Sequence, residues 1–207
     1  MIAILGNIKG GVGKSTLSLI LANYLTQEHK RSVMLLDADD KQSLVSLSEK
    51  SKILETPSQY TIYPKNFMQH NTLLEQINKE PKKILIVDLP SHLNDNILIP
   101  YLKAAEIFLC PFHYDEFTIP STISFALLVA KINPRAVLLF IPNRIKRNIY
   151  IENKNDIEAV LANFGIICPI IYDRIDFQRV SNIHTPSGLL SNIMPILDNI
   201  YALYFSK

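Results

Sequence analysis

Residues 8 to 16, Ile8-Lys9-Gly10-Gly11-Val12-Gly13-Lys14-Ser15-Thr16, follow the apolar run Met1-Ile2-Ala3-Ile4-Leu5 after only Gly6-Asn7. No other stretch of the chain constrains its fold as tightly. A strand that ends in glycines and feeds a helix turns several backbone N–H groups into one concavity, and the helix N-terminus adds partial positive charge there. A polyphosphate fits such a cradle. Lys14 would reach the β- and γ-phosphate oxygens, and the Ser15 hydroxyl would ligate the Mg²⁺ that bridges them. A chance glycine turn before Lys-Ser would lack the flanking elements. Here the strand precedes the loop, and Leu17, Ile20, Leu21, Tyr24 and Leu25 recur at helical spacing after it. The segment reads as the phosphate loop of a nucleoside triphosphate site.

Beyond the loop, apolar strand-like runs alternate with helical patterns to the end of the chain, the signature of an α/β fold with a doubly wound, mainly parallel sheet. Strands are expected near 2–6, 32–37, 60–63, 84–88, 106–111, 136–142 and 167–171, and helices over 15–29, 66–79, 118–132, 155–164 and 193–205. Runs such as Ile84-Leu85-Ile86-Val87 lack polar alternation, which suits strands covered on both faces. Lys50 to Gln59 is polar and reads as an irregular surface connection. At 207 residues, with 48% hydrophobic and 19% charged content, one domain over 1–207 is expected.

Two strand ends carry carboxylates. The second strand runs into Asp37-Ala38-Asp39-Asp40-Lys41-Gln42-Ser43, and the fourth ends at Asp88-Leu89-Pro90-Ser91. Acidic residues just past the carboxyl end of parallel strands lie in the ligand crevice of an open α/β sheet, where the metal and terminal phosphate belong. An aspartate there need only orient a water, because phosphoryl transfer depends on alignment and charge stabilisation.

These residues together give the chain a specific likeness. Lys9-Gly10-Gly11-Val12-Gly13-Lys14-Ser15-Thr16, with lysine near the start of the loop, resembles the deviant Walker A motif of the ParA/MinD family of ATPases. The resemblance implies a P-loop NTPase fold, ATP and Mg²⁺ as cofactors, and a dimer in which Lys9 reaches across to the nucleotide of the other subunit. A second cation beside a triphosphate is favoured where two sites close face to face and exclude water. The Asp37 to Ser43 stretch is similar to the family's Asp-x-Asp-Pro-Gln-x-Ser, with Asp40-Lys41 in place of Pro-Gln. On that likeness Asp39 orients the attacking water, while Asp37 and Asp88 hold the Mg²⁺ shell, Asp88 ending a Walker B-like strand. Leu89-Pro90-Ser91 corresponds to a second switch, and Asn143, in Pro142-Asn143-Arg144, to a residue that hydrogen-bonds the base.

Composition narrows the alternatives. The first strand begins at Met1, so no signal peptide or N-terminal DNA-reading module is expected and the chain reads as cytoplasmic. Cys110 and Cys168 lie far apart and read as packing residues, and the histidines at 29, 70, 92, 113 and 184 lack metal-ligand spacing. No apolar run is long enough to span a bilayer. Net charge is +2, but from Lys131 onward nine Lys/Arg stand against six Asp/Glu, with Arg144, Lys146 and Arg147 in one loop. Such a loop can donate to DNA phosphates without reading sequence.

The resemblance is strongest to the small ParA (ParF-like) partition ATPases, which implies non-specific DNA binding by an ATP-bound, nucleoid-associated homodimer and a centromere-binding, ParB-like partner. A MinD-like membrane switch or a conjugative-transfer accessory ATPase would use the same scaffold. The membrane role needs a basic amphipathic C-terminal helix. Here Ile193, Ile196, Leu197, Ile200, Leu203 and Tyr204 form a stripe with only Lys207 basic, which reads instead as a helix covering a sheet edge.

Overall fold

The computed structural model describes residues 1–53, 55–56, 58–66, 72–80 and 82–206. Its centre is a seven-stranded sheet: β1 (Ile2–Leu5), β2 (Val33–Asp37), β3 (Thr61–Pro64), β4 (Ile84–Asp88), β5 (Ile107–Phe112), β6 (Val137–Pro142) and β7 (Ile166–Ile167). The strand order is β3-β2-β4-β1-β5-β6-β7, and every pairing among the described residues is parallel. Strand order reverses about β1. The loop that follows β1 therefore opens at the carboxyl edge where such sheets bind ligands.

Side-chain alternation along each strand explains the unbroken apolar runs. Ala3, Leu5, Leu35, Ile84, Ile86, Ile107, Leu109, Leu139 and Ile141 pack on one face, with helices α1 (Lys14–Gln27), α2 (Ser43–Ile53) and α7 (Ser187–Ile200). Ile4, Leu36, Leu85, Val87, Phe108, Cys110 and Phe140 pack on the other, with α3 (Thr72–Lys79), α4 (Ile99–Ala104), α5 (Ile119–Ile132) and α6 (Lys154–Ala162). With both faces covered, neither set can be polar.

Helix α1 is buried nearly all round, because α7 and the 180–185 loop cover the side away from the sheet. Its polar residues on that side are satisfied: Asn23 donates to the Ser181 carbonyl at 2.9 Å and to Thr185 at 3.0 Å, and accepts from Tyr60 at 3.1 Å. Such buried amides are tolerated only when paired. The stripe at the end of the chain also covers the sheet. Ile193, Ile196, Leu197 and Ile200 are buried, whereas Leu203 is exposed.

The structure moves several expected boundaries. Lys50 to Ile53 form the last turn of α2 instead of an irregular connection, because α2 is capped from a distant strand by Asp37. Strand β7 stops at Ile167: Pro169 has no N–H to give, and contact resumes only where Ile171 N donates to the Pro142 carbonyl. The last helix starts at Ser187, six residues before the expected 193, and carries Pro195 inside it; residues 201–205 close it in a π-helical turn. The first turn of the helix expected over 66–79, with His70, lies partly outside the described residues, as does Lys207. Both cysteines are free, Cys110 buried and Cys168 half-buried, as packing residues should be.

Candidate functional site

The loop between β1 and α1 is anchored before it is shaped. Asn7, fully buried, donates to the Pro111 carbonyl at 2.9 Å and to Thr122 at 3.0 Å, and its oxygen accepts from Lys9 N at 3.0 Å. Gly10 and Gly11 are exposed, and Gly11 and Gly13 take left-handed backbone angles, φ 81° and 97°. At Gly13 two constraints coincide. A Cβ there would lie 2.3 Å from Asn143 Nδ2, so the position excludes a side chain by conformation and by space. The Gly13 carbonyl then accepts from Leu17 N at 2.9 Å, which opens α1 with Lys14, Ser15 and Thr16 in its first turn. The first N–H groups of a helix have no partner within it and could hold an anion there.

Lys14 is 7% exposed, and its ammonium donates to the Lys9 carbonyl at 3.1 Å and to Ser91 Oγ at 3.2 Å. Burial lowers its pKa, opposed by the charges of Asp88 and Asp39. The Lys14 ammonium thus bridges the phosphate loop and the segment after β4. Strands β2 and β4 pair Asp37 directly with Asp88, and both carboxylates are 1% exposed. Burial pushes Asp88 up to about 7, opposed by hydrogen bonds from Ser15 and Ser18 and reinforced by the Asp37 charge. Asp37 is also raised by burial, against three backbone N–H donors. Its Oδ2 accepts from Leu44 N at 2.8 Å and Val45 N at 3.2 Å, and its Oδ1 from Asp39 N at 3.3 Å. Asp37 therefore caps α2 as well as facing the site.

Ser15, Asp37 and Asp88 form a set of hydroxyl and carboxylate oxygens around one buried spot, the donor chemistry of a hard cation such as Mg²⁺. Among the described residues no three His, Cys, Asp or Glu side chains gather as a metal cage. Mg²⁺ held by one or two carboxylates keeps several waters and shares its shell with phosphate oxygens. Asp39 is half-buried at the rim, its carboxylate accepting from Lys41 N at 3.0 Å.

Asn143, placed from sequence at the base, is fully buried beneath the loop. Its Nδ2 donates to the Val12 carbonyl at 2.8 Å, and its Oδ1 has no partner among the described residues. One N–H fixes the loop. The Oδ1 is left unpartnered in the interior beneath the loop.

Lys9 lies at the outer rim, with its Nζ 5.8 Å from the Phe117 ring, and that ring is 76% exposed. Of the basic loop residues, Arg144 has φ 52° and pairs with Asp173 at 2.8 Å, so its charge is partly committed within the chain. Arg147 lies over the Tyr172 ring at 5.0 Å, and Lys146 is exposed.

Sequence reasoning missed Asn7, Ser18 and Phe117. Ser18 Oγ reaches Asp88 at 3.1 Å, one turn after Lys14, and helical spacing alone would have placed it on the inner face of α1. Nothing in the sequence marks Asn7, whose Nδ2 finds both its acceptors more than a hundred residues away.

Comparison with known proteins agrees with this fold. A family model described as the CobQ/CobB/MinD/ParA nucleotide binding domain matches residues 3–186. Among solved structures, a putative plasmid partition protein of Borrelia burgdorferi B31 bound to AMPPNP is 20% identical, with TM-score 0.70, covering 99% of this chain and 98% of that one. The MinD cell division protein of Aquifex aeolicus is 20% identical with TM-score 0.73, covering 98% and 96%. Apo McdA of Cyanothece is 17% identical with TM-score 0.70, covering 96% and 98%. At these identities the likeness is one of fold. No curated protein matches by sequence. With nearly the whole chain matched by the family model and its phosphate loop at the carboxyl edge of a parallel sheet, this chain belongs to the CobQ/CobB/MinD/ParA nucleotide-binding family.

Proposed function

We propose that residues 1–207 form a single ATPase domain, a Mg²⁺-dependent switch that dimerises on ATP and serves DNA partition. The observation that carries this reading is the convergence of Lys14, Ser15, Asp37 and Asp88 on one buried spot, with Asp39 at its rim and a second lysine, Lys9, at the loop's outer edge. Lys14 and the loop N–H groups would bind the β- and γ-phosphates. Mg²⁺, carried in with the nucleotide and held at Ser15, Asp37 and Asp88, would neutralise charge on the transferred phosphoryl group. Asp39 would orient the water in line, and Asn143 would offer its unused N–H and Oδ1 to the adenine edge. Lys9, free to swing from Phe117, would close the partner's site in the dimer and support hydrolysis there.

DNA is the favoured cargo, with a ParB-like centromere-binding partner stimulating turnover. Lys146 and Arg147, with Arg144, whose Nε is held by Asp173, form an exposed basic loop beyond β6. The membrane alternative would need an apolar helix face free of the sheet. The apolar face of α7 is buried against the sheet, and no helix among the described residues is long and apolar enough to cross a membrane.

The test is retention of duplexes of unrelated sequence. With a non-hydrolysable ATP analogue the wild type is expected to bind all of them alike. Lys146→Ala/Arg147→Ala would flatten the slope of log affinity against log salt by roughly 2 per subunit. Equal retention with ADP, or capture by anionic vesicles in place of DNA, would overturn the partition role.

A further inference from the structure

Strands β3, β2 and β4 end side by side, with Pro64 paired to Asp37 and Asp37 to Asp88. The next residues of each strand meet above that edge. Lys65, which follows β3, places its Nζ 2.8 Å from Asp40, in the loop after β2, and 3.1 Å from Asp95, in the loop after β4. The lysine side chain is only 19% exposed, while Asp40 is 84% and Asp95 44% exposed. Its stem lies against the protein and its charged head is held between two loops.

Those loops are the ones the site depends on. Asp40 is the neighbour of Asp39, whose carboxylate and carbonyl tie the 39–42 turn to itself through Lys41 N and Gln42 N. The loop after β4 carries Ser91, the partner of Lys14, and Asp95 ends it by accepting from Ile97 N at 3.0 Å to start the 3₁₀ turn Asn96–Leu98. An isolated exposed ion pair contributes little, but here one largely covered cation joins carboxylates from two segments. The proline that the family likeness would place at position 40 could not take part.

We propose that Lys65 is a positioning residue that fastens the Asp39 loop to the Ser91 loop, so that the two segments answer the terminal phosphate as one body. Removing the ammonium leaves Asp40 and Asp95 facing each other as like charges, and the loops part. Hydrogen bonding to Asp40 raises the Lys65 pKa, and hydrogen bonds from Ile97 N and Lys65 lower that of Asp95, so the lysine and Asp95 stay ionised near neutrality. The effect on turnover rests on the ATPase reading, but the coupling of the loops does not.

The experiment therefore has two readouts on wild type, Lys65→Met, Lys65→Arg, Asp40→Asn and Asp95→Asn. In nucleotide-free protein, amide hydrogen exchange over 38–44 and 91–98 is expected to rise about fivefold in both segments for Lys65→Met, with Lys65→Arg near wild type. Asp40→Asn should loosen 91–98, and Asp95→Asn should loosen 38–44. In steady-state assays Lys65→Met should lower kcat about fivefold with KM for ATP little changed, and Lys65→Arg should restore it. Segments that respond independently, or an unchanged kcat in Lys65→Met, would overturn the proposal. A wild type without turnover would instead overturn the hydrolysis reading, and exchange would still decide whether Lys65 couples the loops.

Discussion

Lys14→Met is expected to abolish ATP binding while leaving the fold as stable as the wild type. The ammonium is almost wholly buried, and its pKa is lowered by desolvation. Its two acceptors are neutral oxygens, the Lys9 carbonyl and Ser91 Oγ, which replace water only in part. Methionine follows the same channel without a charge to desolvate. Asp88 loses a favourable neighbour, but with its pKa at about 7 it can take up a proton instead of remaining an unpaired anion. The unfolding free energy should therefore change by less than about 1 kcal/mol. Binding behaves differently, because the lysine meets a triphosphate in a closed site. Losing that charge-assisted contact costs about 3–5 kcal/mol, more than a hundredfold in Kd. Denaturant unfolding beside a fluorescent-nucleotide titration measures both. Affinity within about tenfold of wild type would show that Lys14 does not face the phosphates.

Gly13→Ala is expected to damage both stability and binding. The residue holds φ 97°, and an added methyl would meet Asn143 Nδ2 at 2.3 Å. That amide is itself fixed by its bond to the Val12 carbonyl, so it cannot yield without freeing the loop. Left-handed strain and overpacking together should cost about 2–4 kcal/mol, read from the denaturation midpoint. The double variant Gly13→Ala/Asn143→Ala separates the two terms. It removes the collision but keeps the strain, so it should recover part of the loss relative to Asn143→Ala alone. A single variant as stable as wild type would mean that the loop does not hold this conformation.

The parts of the site that were legible in the sequence are those that local chemistry dictates. Glycines before Lys-Ser between a strand and a helix leave few alternatives, and unbroken runs such as Ile84 to Val87 declare strands covered on both faces. Tertiary partners hid the rest. Helix α2 has weak amphipathic character and takes its cap from Asp37, which belongs to another element. Strand β7 looked longer because Ile170 and Ile171 are apolar, yet Pro169 breaks its ladder. Arg144 read as a free cation because Asp173, its partner, lies 29 residues away. The Pro142-Asn143 turn marks Asn143 in the sequence, but its bond to the phosphate loop depends on a contact 131 residues distant. Lys65 gave no signal at all, since its role depends on three strand ends meeting.

The central claim is that ATP joins two copies of this chain and that Lys9 makes the joint. Sedimentation of wild type and Lys9→Ala, each with ADP and with a non-hydrolysable ATP analogue, tests it most directly. Lys9 lies at the rim with its ammonium beside the Phe117 ring, so Lys9→Ala should fold and bind nucleotide as wild type does. The account expects a dimer for wild type with the ATP analogue alone, and a monomer for Lys9→Ala in both nucleotides. A wild type that stays monomeric with the analogue, or a Lys9→Ala protein that dimerises as well as wild type, would contradict it.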